Sequence, residues 1–337
     1  MIKNISALSF TSVKDKDSCF RFLSGRKTFT WCCLLFSILV YGPEKAMAQD
    51  DPQFSQNMYN RLPVNPGYAG STGSMCATSL IRNQWVGFEG APISQNFAFD
   101  ALVEPLHGGL GFALTHDQLG FTNSLNFKVA YAYRMRLSNS GRLAFGLSGG
   151  FMQRSLDLTQ TINSSDDPLP LGSYHAIAPD FDFGVYYNTS DFYMGASVTH
   201  INAAKLSYVA DNGDAYEPHI NRHYYFMGGY NYALNRIFTL KPSFFFKTDG
   251  TSQQTDINLT VLYNNSLWLG VSYRTSDAVI LMAGINVTNE LKVGYSYDIT
   301  TSLINTASSG SHELMLRYCF KIKNNRPAYM NRNVRFL

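Results

Sequence analysis

Asp166 and Asp167, with His175 and Asp180 downstream, come nearest to an acid–base constellation in this chain. Two carboxylates and an imidazole are the minimum a hydrolase needs for general acid and base work. Acids in a long loop more often stay solvated or bind Ca²⁺ weakly, so no enzyme is expected. The other histidines, His107, His116, His200, His219, His223 and His312, are scattered. His219 and His223 are four residues apart but open a predicted strand, where positions i and i+4 lie far apart, so no metal site is expected. No phosphate loop, dinucleotide fingerprint or nucleophile elbow appears in a strand–helix context. No cofactor is expected either.

The elements that would hold these residues point elsewhere. In the stretch 125–136, Leu125, Phe127, Val129, Tyr131, Tyr133 and Met135 alternate with Asn126, Lys128, Ala130, Ala132, Arg134 and Arg136. Successive strand side chains point to opposite faces, so one face is apolar and the other wet. The pattern repeats about every ten residues plus a turn from residue 75 to residue 320. We read fourteen strands, at 75–86, 93–103, 108–116, 122–136, 142–155, 179–188, 191–201, 221–233, 237–247, 254–263, 266–274, 277–287, 290–298 and 311–320. The run Val279–Val287 is apolar on both faces and is expected to pack against a plug or partner. Pro242, inside a strand, predicts a bulge or irregular pairing. Short turns such as Thr189-Ser190, Asn264-Asn265 and Thr288-Asn289 fall at one end. Long connections at 156–178, 202–220 and 299–310 fall at the other, with Thr275-Ser276 a tight exception.

This is the pattern of a transmembrane antiparallel β-barrel of the outer membrane, all-β, with about 14 strands. A soluble β-sandwich fits less well, because its polar face need not be rich in Gly and Ala. Aromatic richness, 21 Tyr and 24 Phe, suits interfacial girdles. The lumen-facing candidates are Lys128, Arg134, Asp180, Asp182, Asp256, Arg274, Lys292, Asp298 and Arg317. They would line a channel or close it as a salt-bridge network.

Residues 1–48 read as a signal peptide: Arg21, Arg26 and Lys27 precede the apolar run Trp31–Tyr41, and Ala46-Met47-Ala48 offers a cleavage site. The remaining 20 Lys and Arg against 21 Asp and Glu leave a net charge near −1 and no case for nucleic-acid binding. Cys76 and Cys319 fall in the first and last strands, neighbours in a closed barrel. A bridge between them is one reading; two small wall residues is the plainer and preferred one. Residues 49–74 form a periplasmic N-terminal segment, 75–320 the barrel, and 321–337 a periplasmic tail with Lys321, Lys323, Arg326, Arg332 and Arg335 and no acid. The tail is either solvated or a contact for an acidic partner.

Two segments are more specific than barrel wall: DPQFSQNMYNRLPVNPGYAGS at 51–71 and RNQWVGFEGAPISQNFAFDALV at 82–103. With GYSYDIT at 294–300 and GSHELMLRY at 310–318, they resemble the PorP/SprF family of Bacteroidota over nearly the whole mature chain. The resemblance implies an outer-membrane component of type IX secretion and gliding motility, with both termini periplasmic. It also implies a large adhesin-like cargo with a C-terminal sorting domain, a periplasmic ring of PorK and PorN type, and lipid as the solvent of the wall. Phe54, Met58, Tyr59, Pro66 and Tyr68 are partner-binding candidates in the N-terminal segment, which either plugs the mouth or docks a partner, or is an ordered cap with only a stability role. Arg82, Trp85, Phe88 and Glu89 are candidates in the first loop; a plain structural turn is the preferred reading of it, and the alternative is that Arg82 and Glu89 pair inside the lumen or touch cargo. The alternative function is a passive porin-like channel or small-molecule transporter.

Overall fold

The computed structural model describes residues 51–159, 171–209 and 215–320. The signal segment, the basic tail and the pair Asp166 and Asp167 lie outside them. The strands are β1 (Met75–Asn83), β2 (Ile93–Val103), β3 (Gly108–Leu119), β4 (Thr122–Arg136), β5 (Arg142–Asp157), β6 (Ser173–Asn188) and β7 (Phe192–Thr199). A two-residue hairpin follows, β8 (Tyr208–Val209) with β9 (Ala215–Tyr216). Then come β10 (His223–Tyr230), its continuation β11 (Tyr232–Ala233), β12 (Phe238–Thr248), β13 (Gln253–Tyr263), β14 (Leu267–Arg274), β15 (Ala278–Asn286), β16 (Leu291–Thr300) and β17 (Ser311–Phe320). Each wall strand pairs antiparallel with its sequence neighbour; β1 pairs with β17, and β10 pairs with both β7 and β12. The result is a closed ring of fourteen strands with no free edge. Lipid offers no hydrogen bonds to an edge, so a spanning sheet must close.

Outward positions are large and apolar all round the ring: Val129, Leu147, Ile177, Leu269, Leu281 and Leu316 are all exposed, Leu269 by 66%. So much apolar surface would aggregate a water-soluble protein and is what hydrocarbon solvates. Inward positions carry charge, hydroxyls, Gly and Ala.

Two expectations change, and a third resolves to one of its alternatives. The strand predicted from residue 179 begins at Ser173. Its inward Tyr174, Ala176 and Ala178 are covered by Leu206, Tyr208 and Ile220 of the long connection after β7, so both faces are apolar and the alternation fades. Pro242 brings irregular pairing without a bulge. It keeps register with Leu259 in β13; on its other side the ladder stops at Gly229 and resumes at Tyr232 without slipping. Finally, Cys76 and Cys319 are directly paired in the β1–β17 register and are joined as a disulfide. The plainer reading failed because the ring places the two side chains on the same inward face.

Residues 51–74 are not wall. They carry two single-turn 3₁₀ helices, Asn57–Tyr59 and Pro66–Tyr68, and thread the lumen. Asp51 sits beside His200 and Lys247 in the long-loop half; Gly70 reaches Asp100 near the short-turn end, where β1 starts and β17 stops. The two ends of the described chain therefore lie toward opposite ends of the barrel rather than sharing one.

The disulfide spans 243 residues of sequence. Peptide mapping under non-reducing conditions should recover Cys76 linked to Cys319. The double Ala variant should still migrate as a folded barrel, because the β1–β17 ladder closes the ring. It should be less stable to denaturant by about 2–4 kcal/mol.

Candidate functional site

The lumen is a groove cut for its own N-terminal segment. Small inward residues on β3 to β6, including Ala113, Ala130, Ala132 and Ala144, leave room for Leu62, Tyr68 and Ala69. Several wall glycines face the segment directly, Gly146 and Gly184 among them. A Cβ on Gly146 would meet the backbone of Pro66 and Gly67, and one on Gly184 the Asn65 side chain. Asn65 in turn donates to the Val185 carbonyl (3.2 Å) and accepts from the Gly67 amide (2.9 Å). On the opposite wall Phe54, Met58 and Tyr59 pack on Leu80, Trp268, Ile280, Met282 and Met315. The doubly apolar run at 279–287 has its inward face against this segment.

Two ionic clusters fasten the segment in the long-loop half. In the first, Arg82 of β1 lies 2.7 Å from Asp298 of β16 and 3.6 Å from Glu313 of β17. Arg274 of β14 bridges Asp256 (3.0 Å) and Asp298 (3.1 Å). The Glu313 carboxylate accepts the Ser55 amide (2.6 Å) through one oxygen and the Gln56 amide (2.9 Å) through the other. Ser55 Oγ donates to Asp298 (2.7 Å), and Asn57 donates to Asp256 (3.1 Å). Ionised hydrogen bonds of this kind are roughly twice as strong as neutral ones.

In the second cluster Lys128 of β4 contacts Asp180 (3.0 Å) and Asp182 (2.9 Å) of β6. His200 lies between Asp180 and Asp51, with one ring nitrogen 2.9 Å from each. A carboxylate on both sides requires both nitrogens to donate, so the ring is an imidazolium. Tyr225 donates to Asp51, and Lys247 donates to the Asp51 carbonyl oxygen (3.2 Å). Asp51, His200 and His223, and likewise Asp180, Asp182 and His200, are close enough to hold a metal ion. Lys128 and the His200 ring already stand between these carboxylates, and Lys247 lies beside Asp51.

All nine lumen-facing candidates lie on the inward side. Asp180, Asp182, Asp256, Arg274, Asp298, Lys128 and Arg317 are buried; Arg134 and Lys292 are half-buried. Arg134 donates to Asn188 (2.8 Å), and Arg317 donates to the Tyr59 carbonyl (3.1 Å) and Tyr68 hydroxyl (2.9 Å). Of the partner candidates, Phe54, Met58, Tyr59, Pro66, Tyr68 and Arg82 are used inside the barrel, and an outside partner does not reach them. Trp85, Phe88 and Glu89 remain at the long-loop rim, Phe88 and Glu89 exposed. Arg82 and Glu89 do not pair: Arg82 points inward to Asp298 and Glu313, while Glu89 is out in the loop. His175 faces outward from β6 and Asp180 inward, so they belong to no common site. Reading by sequence missed Glu313, His200, His223 and Tyr225. Alternation would have found Glu313, which shares its face with Met315 and Arg317. Nothing in spacing links Asp51 to His200.

Replacing Asp298 by Asn removes the charge shared by Arg82 and Arg274. The folded barrel in detergent should lose about 3–5 kcal/mol against denaturant. Gly146→Val should cost about 1–3 kcal/mol by overpacking. It should also expose Arg61 to trypsin while the outward face of β5 is untouched, which limited proteolysis with mass spectrometry reads directly.

Among solved structures the chain is similar to the CymD monoaromatic hydrocarbon channel, with 12% identity, 82% of this chain and 95% of that chain covered, and a TM-score of 0.47. It is also similar to the toluene transporter TbuX of Ralstonia pickettii, with 10% identity, 85% and 100% covered, and a TM-score of 0.45. No curated protein matches the sequence. The family profile described as "Type IX secretion system membrane protein PorP/SprF" matches residues 46–318.

Proposed function

The chain belongs to the PorP/SprF family of type IX secretion system membrane proteins, and from that premise we propose that its barrel receives, passes or tethers a large adhesin-like surface protein at the outer membrane. The protein is an outer-membrane β-barrel of that secretion system. The finer role rests on one observation: the lumen is filled by residues 51–74, held from both walls by Glu313, Asp298 and Asp256 on one side and by His200, Tyr225 and Lys247 on the other. A general porin needs an open aqueous path, and a network this complete stands across it. The long connections would face the exterior and the short turns the periplasm, as in other outer-membrane barrels. Cargo would then meet the rim carrying Trp85, Phe88 and Glu89. A periplasmic ring of PorK and PorN type would meet the short-turn end, where the basic stretch 321–337 follows β17. The role is one of binding and positioning: of the described residues that suggested acid–base chemistry, His175 faces outward and Asp180 is locked to Lys128 and His200.

Planar-bilayer recording separates this reading from the porin alternative. The intact protein should be silent, and the Ser55→Ala/Asn57→Ala/Glu313→Gln variant, checked for folding by heat-modifiable gel migration, should conduct. Affinity purification of the tagged protein from its native outer membrane should bring down a large surface protein. A large constitutive current from the intact protein, with no such companion, would overturn the proposal.

A further inference from the structure

Below the N-terminal segment, in the short-turn half of the barrel, lies a cavity of about 420 Å³. Four cations line it: Arg61 from the segment, Lys241 of β12, Lys292 of β16 and Arg317 of β17. No Asp or Glu does. The acids nearest in sequence to its lining are committed elsewhere or face away. Asp100 accepts the Gly70 amide, Glu290 accepts from Thr288, and Asp191 is exposed.

The two guanidinium groups are held by neutral partners. Arg61 donates to the Tyr186 hydroxyl (2.9 Å) and lies 3.6 Å from the Tyr193 ring centroid. Arg317 donates to the Tyr59 carbonyl, the Tyr68 hydroxyl and Cys319 Sγ. Arg317 lies within electrostatic reach of the Asp100 carboxylate, which is outside the cavity lining, while Arg61 has only tyrosines about it. Among the described residues, Lys241 and Lys292 have neither a hydrogen bond nor an ion pair, although both are half-buried. Elsewhere in the lumen Arg82, Lys128 and Arg274 meet carboxylates, while Arg134 donates to Asn188. Clustered like charges away from bulk water oppose one another unless an anion joins them. The chain does not bring one in the residues that follow: 321–337 holds five basic residues and no acid.

We propose that this cavity binds a compact multivalent oxyanion of phosphate type, gripped by the Lys241 and Lys292 ammonium groups in the field of Arg61 and Arg317. The free donors decide the chemistry. Arg317 is engaged through all three nitrogens and Arg61 through Nη1 and the Tyr193 ring, which leaves the two ammonium groups as free point charges with three donors each, suited to a tetrahedral oxyanion. Tyr59, Tyr68, Tyr193 and Tyr230 line the same space, and their hydroxyls supply neutral donors. The phosphate is either free or carried on a lipid headgroup that enters through the barrel mouth.

The test is isothermal titration of the full-length folded protein, in uncharged detergent at low ionic strength, with inorganic pyrophosphate. We expect a single site whose affinity falls with added salt. It should weaken by about tenfold or more in the Lys241→Gln/Lys292→Gln variant, and it should be unchanged in Lys205→Gln, on the exposed connection after β7. Competition by short-chain phosphatidylglycerol assigns the site to a headgroup phosphate; titration unaffected by it assigns a free one. Absence of pyrophosphate binding overturns the proposal, as does binding that the double variant leaves intact. Binding of hexaglutamate in place of pyrophosphate overturns it in favour of an acidic peptide.

Discussion

A peptide group in hydrocarbon has no partner but another peptide group. That constraint dictates the ring. It forces β17 back onto β1 and β10 onto β12, and it assigns every second side chain to lipid. The remaining side chains are then screened from the membrane by the wall itself, which is what allows an outer-membrane strand to carry Arg82, Lys128, Asp256 or Arg274 at all. The alternation of Val129 with Lys128 and Ala130 is the local form of the same requirement.

Closure creates a second problem inside. Fourteen strands enclose more space than their inward side chains fill, and many inward residues here are Gly or Ala. The N-terminal segment takes up that space, and the charges take up its polar atoms. Glu313 shows how closely wall and segment depend on each other. Without the amides of Ser55 and Gln56 it would be a buried carboxylate with only a 3.6 Å contact to Arg82, and a buried acceptor left unmatched is expensive. Asp256 and Asp298 likewise divide their oxygens between wall arginines and segment side chains. The plug is thus part of the solvation of the wall's charges, and its removal would leave water to replace it.

The sequence carried the wall well because alternation is enforced residue by residue. The strands at 93–103, 122–136 and 311–320 have the bounds the pattern implied, and the inward charges follow from parity alone. It carried the interior poorly because contacts there join residues with no shared period. His200 meets Asp51 across 149 positions and Arg82 meets Asp298 across 216. The early start of β6 was hidden because a long connection covers its inward face and erases the polar contrast. Arg82 and Glu89 are close in sequence, but one belongs to a strand's inward face and the other to a loop, so proximity in the chain misled. At Pro242 the missing N–H interrupts one ladder, the irregular pairing expected there, without a bulge or any change of register.

The two halves of the lumen differ in a way that bears on what the barrel does. In the long-loop half, cations are paired with carboxylates and the N-terminal segment is tied into them, so that half is a fixed structure. In the short-turn half the same segment presents Arg61, and the wall adds Lys241, Lys292 and Arg317, whose direct contacts are hydroxyls, a carbonyl, a sulfur and a ring. A single polypeptide therefore spans a closed region and a charged, open one. Any molecule that drew Arg61 out of its Tyr193 and Tyr186 contacts would pull on the segment that also holds Glu313 and Asp298. The chain between those points, from Ser55 to Arg61, includes one 3₁₀ turn and packs through Met58 and Tyr59 on Trp268, so it has little slack to absorb such a pull. Binding at the short-turn end and closure of the lumen are mechanically joined through those seven residues.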